Sequence, residues 1–359
     1  MFLNFLNLSF YKNFDSKKFN FESKINCFIG KNGVGKSNVL DSIYHLAYGK
    51  SYFNPLSFQS INFKSDFFAI EGHFKKKEKI EKIICSLKKG TKKIIKRNDI
   101  KYKKIYDHIG LIQTVMISPV DQDLISEGSF IRRKFIDSII GQIDKIYLKN
   151  LVEYKKVLSQ RNSLLKFFAI NKTFDQETLS IYDYQLIKLN KPIFIKRKKF
   201  ISNFINVFKG IYDDISNKRE LVNIEYKSDL LESNIEEILN KNINNDKINQ
   251  YTTKGIHKDD LFFSIENNSI KKFGSQGQQK TFLVSLKIAK YFFLKSQTGK
   301  SPILLFDDAF DKLDEERVSL IIEKVRQNDF GQIFITDTHH ERTVDALSKK
   351  KSEYSIFEL

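Results

Sequence analysis

GKNGVGKS, residues 30–37 of a chain of 359 residues, is the stretch on which the reading of the fold turns. Glycines at 30, 33 and 35 let the backbone turn with its amides pointing inward. Lys36 can then reach the β and γ phosphates of a nucleotide, and Ser37 can ligate magnesium. The flanks agree with this reading. Ile25 to Ile29 is a compact apolar run, expected to be a strand that ends at Gly30, and the apolar residues Val39, Leu40, Ile43, Leu46 and Ala47 follow a helical stripe that stops at Gly49. The candidate nucleotide contacts are Gly30, Lys31, Asn32, Gly33, Val34, Gly35, Lys36, Ser37 and Asn38.

A second motif supplies the acid chemistry that such a loop needs. In ILLFDDAFDKLD, Ile303 to Asp314, four apolar residues make a buried strand that delivers Asp307 to a magnesium shell and Asp308 toward an attacking water. Asp308 and Lys36 are the candidate catalytic residues, and Ser37 and Asp307 the candidate magnesium ligands. A third stretch, FGSQGQQKT at Phe273 to Thr281, precedes that strand. Its small residues Gly274, Ser275 and Gly277 open a helix whose N-terminus, with a serine hydroxyl, suits a phosphate. An ordinary helix cap at Ser275 explains the same residues. The order of the three motifs resembles that of the ABC ATPase superfamily. There the corresponding serine faces the γ-phosphate bound by another subunit, which implies that Ser275, Gly277 and Gln278 complete a nucleotide site in trans.

Around these motifs, Phe2 to Phe10 alternates and is expected to be an edge strand. FFAIEGHF, KIICSL and KKIIKR between Phe67 and Arg97 read as a small antiparallel sheet. Gln113 to Ser118 reads as a further strand. Ile131 to Ile140, Tyr147 to Phe168 and Leu179 to Phe208 carry apolar spacings of three and four, with Pro192 expected to kink or divide the last helix. A polar stretch from Lys218 holds a strand-like VNIEY and an asparagine-rich connection, and the return to the first lobe is placed near Tyr251. Alternating strands and helices then run on: Leu261 to Ile265, Gln279 to Leu294, Ile303 to Phe306, Arg317 to Val325 and Ile333 to Thr336. The expected fold is α/β, a P-loop ABC-type ATPase head with an inserted helical lobe. Lobe I, with a mixed sheet, takes residues 1–118 and 251–359 with an antiparallel β subdomain at about 60–110; the mainly helical lobe II takes 119–250.

Composition narrows the partners. A hydrophobic content of 41% excludes disorder as the dominant state. No apolar run approaches the roughly 18 residues of a membrane span, so a cytoplasmic protein without a membrane partner is expected. Cys27 and Cys85 sit among apolar residues and read as core thiols, and the adjacent His339 and His340 make a poor zinc site. A net charge of +18 favours an acidic polymer as partner, although lysine-rich composition of the kind that A and T drift produces accounts for part of it.

Over nearly its whole length the chain resembles the RecF family of the SMC-like branch of ABC ATPases. SPVDQDLISEGSFIRRKFID at Ser118 to Asp137, QRNSLLK at Gln160 to Lys166 and GIHKDDL at Gly255 to Leu261 carry the likeness beyond the nucleotide motifs. The resemblance implies ATP and Mg2+ as cofactors, an ATP-dependent homodimer, weak DNA-dependent ATPase activity, and binding to single-stranded and duplex DNA. It further implies work at gaps and junctions, loading RecA with RecO and RecR in gap repair and the SOS response. It places the D-loop at Asp311 to Asp314 and draws attention to Arg132, Arg133, His257 and Lys258 without assigning their contacts. Two departures stand out. Asp308 is shorter than the glutamate common in transporters, which implies slow hydrolysis. The strand at Ile333 runs into ITDTHH, which leaves the γ-phosphate sensor open, as Gln113 and Gln122 leave the Q-loop. The alternatives are a transporter's nucleotide-binding subunit and a DNA scaffold switched by ATP without turnover.

Overall fold

The computed structural model describes residues 1–308, 330–337 and 354–359. It divides into two compact units: Met1–Gln122 with Ile211–Lys218 and Lys280–Leu359, and Asp123–Gly210 with Arg219–Gln279.

The first unit holds two sheets. Strands β1 (Phe2–Tyr11), β2 (Phe14–Asn20), β4 (Phe67–Lys76), β5 (Lys79–Lys88), β6 (Ile94–Arg97) and β7 (Ile100–Lys101) form an antiparallel sheet ordered β2-β1-β4-β5-β6-β7. The edge assignment of Phe2–Phe10 is thereby corrected, because β1 lies between β2 and β4. The true edge escapes a reading by pattern since β2, FDSKKFN, buries only Phe14 and Phe19. The second sheet joins β3 (Ile25–Ile29), β8 (Thr114–Ile117), β12 (Ile303–Asp307), β13 (Ile333–Asp337) and β14 (Tyr354–Glu358) in the order β14-β3-β13-β12-β8, every pairing parallel. All residues of β3, β8, β12 and β13 are buried, as strands covered on both faces of a parallel sheet are. Parallel pairing brings the C-terminal ends of these strands to one edge, where Gly30, Ser118, Asp307 and Thr336 all fall.

Between the sheets, α1 (Lys36–Tyr48) buries Val39, Leu40 and Ile43 in the same core as Leu3, Leu6, Leu305 and Phe334. An aromatic cluster of Phe21, Phe28, Phe334 and Phe357 ties β14, β3 and β13, with Phe21 and Phe334 centroids 4.9 Å apart. Gln332 fastens the two sheets: its Oε1 accepts from the Leu3 amide at 2.7 Å and its Nε2 donates to the Leu3 carbonyl at 2.8 Å. Cys27 and Cys85 are buried free thiols, each raised to about 12 by desolvation.

The second unit is built on α2 (Asp123–Ser126), α3 (Ser129–Ile143), α4 (Lys145–Asn171), α5 (Gln176–Ser216, whose residues from Ile211 belong to the first unit), α6 (Ile235–Asn249) and α7 (Ile270–Phe273). A small antiparallel sheet of β9 (Val222–Lys227), β10 (Asp260–Ile265) and β11 (Asn268–Ser269) completes it. Helix α8 (Gln276–Thr298) begins there and ends in the first unit. Three expectations change. Of the kink or division expected at Pro192, the division does not occur: α5 is one helix, with Leu186, Ile193 and Phe200 buried on either side of the missing hydrogen bond. The asparagine-rich connection is the helix α6, started by Asn234, whose side chain accepts from the Glu237 amide, and held by the buried Ile235, Ile238 and Leu239. Finally, residues 251–279 belong to the second unit, and the strand at Leu261–Ile265 pairs antiparallel with β9 outside the parallel sheet.

Buried arginines explain that last correction. Arg161 pairs with Asp183 and Asp246, each at 2.6 Å, and donates to Thr252 at 2.8 Å; Arg197 pairs with Asp137 at 2.9 Å and Asp259 at 2.8 Å. Such desolvated pairs are lost only at high cost once formed, and they tie residues 252–259 to α3, α4, α5 and α6. A hydrophobic pattern contains no trace of them.

In the first unit, α8 buries Lys290, whose Nζ donates to the Tyr48 hydroxyl at 3.2 Å. Burial, assisted by the charge on Lys287, lowers it from 10.5 to about 7. Between these values the unfolded chain binds the proton and the folded chain releases it, so this residue makes stability rise with pH from about 7 toward 10.5. Substituting Lys290→Met should stabilise the fold most below pH 7, with a gain that shrinks as pH rises toward 10. Urea unfolding of both proteins across that range measures it, and a gain independent of pH would contradict the assignment.

Candidate nucleotide site

The loop after β3 is shaped by backbone that side chains tolerate poorly. Gly33 and Gly35 take φ of 85° and 113°. A Cβ at Gly33 would meet nothing within 4 Å, so conformation alone demands glycine there, whereas at Gly35 it would also run into the Asn13 side chain at 2.6 Å. Lys36 is buried and donates from Nζ to the carbonyls of Gly30 at 2.7 Å and Lys31 at 3.0 Å, which fixes the ammonium inside the loop. Lys31, Asn32 and Gly33 are exposed at its rim, while Val34, Ser37 and Asn38 are half-buried. Helix α1 starts with no side-chain cap and no acidic residue in its first turn. Its first amides and positive dipole end are therefore suited to an anion.

Asn13, in the β1–β2 turn, braces this loop. Its Nδ2 donates to the Val34 carbonyl at 2.9 Å, and its Oδ1 accepts from Asn38 at 2.7 Å. No motif signals this residue, because the contact joins segments separated in sequence.

The acidic half of the site stands at the ends of neighbouring strands. Register aligns Asp307 with Thr336, and Thr336 in turn with Phe28, two residues before Gly30. The Asp307 carboxylate accepts from Ser118 Oγ and Thr336 Oγ1, each at 3.1 Å, with the Ser37 hydroxyl close by. Burial raises its pKa, the three hydroxyls lower it, and the nearby Asp41 raises it again. Among the described residues no basic side chain pairs with it. A desolvated carboxylate beside a serine oxygen is a hard, oxygen-only donor set that fits Mg2+, which retains waters and takes further oxygens from phosphates. Ser37 and Asp307 would hold the ion.

Thr336 links both acidic residues. It donates to Asp307 and accepts from the Asp308 amide at 2.9 Å, holding Asp308 in a left-handed conformation with φ 42°. Behind Ser118, Asp121 Oδ2 accepts from the Ser118 amide at 2.9 Å, and Lys287 of α8 pairs with Asp121 Oδ1 at 2.5 Å and donates to the Tyr52 hydroxyl at 2.9 Å. Tyr52 also hydrogen-bonds Asp121. Thus a buried network steadies the residue that holds Asp307 from the β8 side.

The remaining candidates sort by position. Gln113 is buried and accepts from Thr298 Oγ1 at 3.0 Å, a structural role. Ser275, Gly277 and Gln278 belong to the second unit, where Ser275 caps α8: Gln278 N donates to Ser275 Oγ at 3.2 Å and Ser275 N donates to Gln278 Oε1 at 2.7 Å. Ser275 is exposed. Arg132 pairs with Asp260 at 2.6 Å, and Arg133 donates to the Asp259 carbonyl at 2.6 Å. His257 is lowered to about 4 by burial; the neutral ring donates from Nε2 to the Thr252 carbonyl and accepts at Nδ1 from Tyr154. Lys258 lies over the Tyr251 ring at 4.8 Å. The D-loop at Asp311–Asp314, the helix at Arg317–Val325 and His339 with His340 lie outside the described residues.

The comparisons with known proteins agree with this geometry. A family model described as RecF/RecN/SMC N terminal domain matches residues 2–356. A DNA replication and repair protein RecF from Flavobacterium johnsoniae is 55% identical over 359 residues, all of both chains. The chain belongs to the RecF family. A second RecF, from Bacteroides fragilis, is 42% identical over 99% of this chain and 96% of its own. Among solved structures, the recombination mediator RecF-ATP of the RecFOR pathway superposes with a TM-score of 0.90 at 29% identity, covering 99% of this chain and 95% of that one. An Smc head bound to the C-winged helix domain of ScpA reaches 0.56 at 13% identity over 95% of this chain and 90% of that one, a likeness of fold alone. The SMC-like ABC head expected from the sequence is therefore the fold of this chain. Among the described residues no helix is long and apolar enough to cross a membrane.

Replacing Thr336 by valine should weaken Mg2+-dependent ATP binding about tenfold, the effect of one lost charge-assisted hydrogen bond, and leave ATP binding in EDTA nearly unchanged. Thr336→Ser should restore affinity. Isothermal titration in both buffers reads the difference, and equal losses with and without Mg2+ would refute the bridging role.

Proposed function

We propose that this chain is an ATP-dependent DNA-repair protein that closes as a homodimer on ATP and holds DNA until hydrolysis. The observation that carries this reading is the Lys36 loop and the hydroxyl-bound Asp307 at the same edge of the parallel sheet, on strands separated only by β13. Family membership supports the DNA-repair context, as does similarity to RecF structures described with ATP in the RecFOR pathway.

In this scheme the loop amides and Lys36 bind the phosphates, and Ser37 and Asp307 would hold Mg2+, whose charge would offset that of the β and γ phosphates. Asp308 orients water and takes its proton; the water oxygen bonds to the γ-phosphorus, the bond to the bridging oxygen breaks, and ADP and phosphate leave. Ser275 of a second copy completes the site from across the dimer. Its exposed position at the start of α8, a helix with no acidic residue in its first turn, suits a phosphate approaching from outside the chain. The net charge of +18 supports DNA as the polymer held. Loading of RecA together with RecO and RecR, at gaps and junctions, is the cellular role this activity would serve.

Binding should be mainly to phosphates and therefore fall steeply with salt and little with base sequence. Filter binding of duplex DNA across a salt series, with ATP and with ADP, tests partner and switch together. ATP should raise affinity at every salt concentration, Lys36→Ala should erase that increment, and Asp308→Asn should prolong retention by blocking hydrolysis. Identical curves with ATP and ADP would reject the clamp, and rapid release from Asp308→Asn would reject Asp308 as the catalytic group.

A further inference from the structure

A cavity of about 610 Å³ opens on the first unit at the edge opposite the nucleotide loops. It lies where Lys24, Leu111, Ser301 and Gln332 precede the parallel strands, beside the first residues of β1 and the β4–β5 turn. Its rim carries Lys75, Lys76, Lys77 and Lys300, all exposed, and among the described residues none of these four makes an ion pair. Neither aspartate nor glutamate is among its lining residues. Its floor is apolar, formed by Met1, Phe2, Leu111 and Phe330.

Four like charges around one recess repel each other in the isolated chain and are relieved by an anionic occupant. The dimensions select among anions. The volume is that of a site for a small ligand or a few side chains, so a duplex would touch the rim and gain nothing from the floor. Bases of a single strand need an aromatic face to stack on. Phe330 does not offer one, since its ring is stacked on Tyr291 at 4.3 Å and edged by Phe292 at 5.3 Å, which leaves only Phe2, room to stack one base and not the successive bases of a strand. Both features are satisfied at once by an acidic peptide with one apolar side chain: carboxylates meet the lysines while the apolar group covers Leu111 and Phe2. We propose that this recess is a docking site for an acidic segment of a partner protein anchored by a single large apolar residue.

The site is remote from the catalytic machinery and independent of the nucleotide scheme above, because it uses the N-terminal ends of the strands whose C-terminal ends hold Asp307 and Gly30. The probe is a fluorescein-labelled hexapeptide of five aspartates and one phenylalanine, compared by anisotropy with a version carrying serine for the phenylalanine and with labelled oligothymidylate. The full-length chain should bind the phenylalanine peptide about tenfold more tightly than the serine peptide. Lys76→Glu with Lys300→Glu should lower that affinity at least about tenfold while ATP binding is kept. Leu111→Trp, which fills the floor and keeps every lysine, should abolish the preference for phenylalanine, so a misfolded charge variant does not decide the matter. Equal binding of the two peptides by the wild-type chain would reduce the site to diffuse charge attraction and overturn the proposal. Loss of oligothymidylate binding without loss of peptide binding in the lysine variant would overturn it in favour of nucleic acid.

Discussion

The constraint on which the first unit turns is the burial of the Asp307 carboxylate. A desolvated carboxylate prefers to be neutral, yet a magnesium ligand must be charged. Ser118 and Thr336 reconcile the two by donating hydroxyl hydrogen bonds from just past β8 and from β13, with Ser37 of the glycine loop close by. Hydroxyls from both neighbouring strands reach one residue because β8, β12 and β13 are parallel, adjacent and in the register found here. The all-buried sheet, the loop after β3 and the Asp121–Lys287–Tyr52 network behind Ser118 can be understood as what holds that convergence in place.

The second unit meets a different demand. It buries two arginines with their carboxylates, and those pairs specify which distant segments meet more sharply than apolar contacts would. Arg161 brings together α4, α5, α6 and Thr252; Arg197 joins α5 to Asp137 and to Asp259. Arg132, Arg133 and His257, which stand in stretches that carry the family resemblance, are engaged in the same internal work. Their prominence in the sequence is therefore accounted for by folding of this unit.

What was legible in the sequence follows from range. The strand, loop and helix at Ile25–Tyr48 could be read because each is set by neighbours: a burst of apolar residues, glycines at strained positions, a stripe of period 3.6. Asp307 and Asp308 were legible for the same reason. Helix α6 was hidden by its asparagines, whose local preferences point to turns and are overridden by three buried apolar residues and the Asp246–Arg161 pair. Strand β2 was hidden because an exposed edge needs little apolar pattern. Asn13, Ser118 and the bridging role of Thr336 could not be found at all, since each acts through a contact that only the folded chain brings together.

The central claim is that the Lys36 loop is half of a site whose other half is Ser275 of a second copy. Sedimentation velocity of mixed variants tests it directly. Lys36→Ala and Ser275→Arg should each remain monomeric with ATP, yet mixing them should yield ATP-dependent heterodimers, because the intact loop of one then faces the intact serine of the other. Dimerisation of Ser275→Arg by itself, or no heterodimer from two variants that both stay folded, would contradict the account.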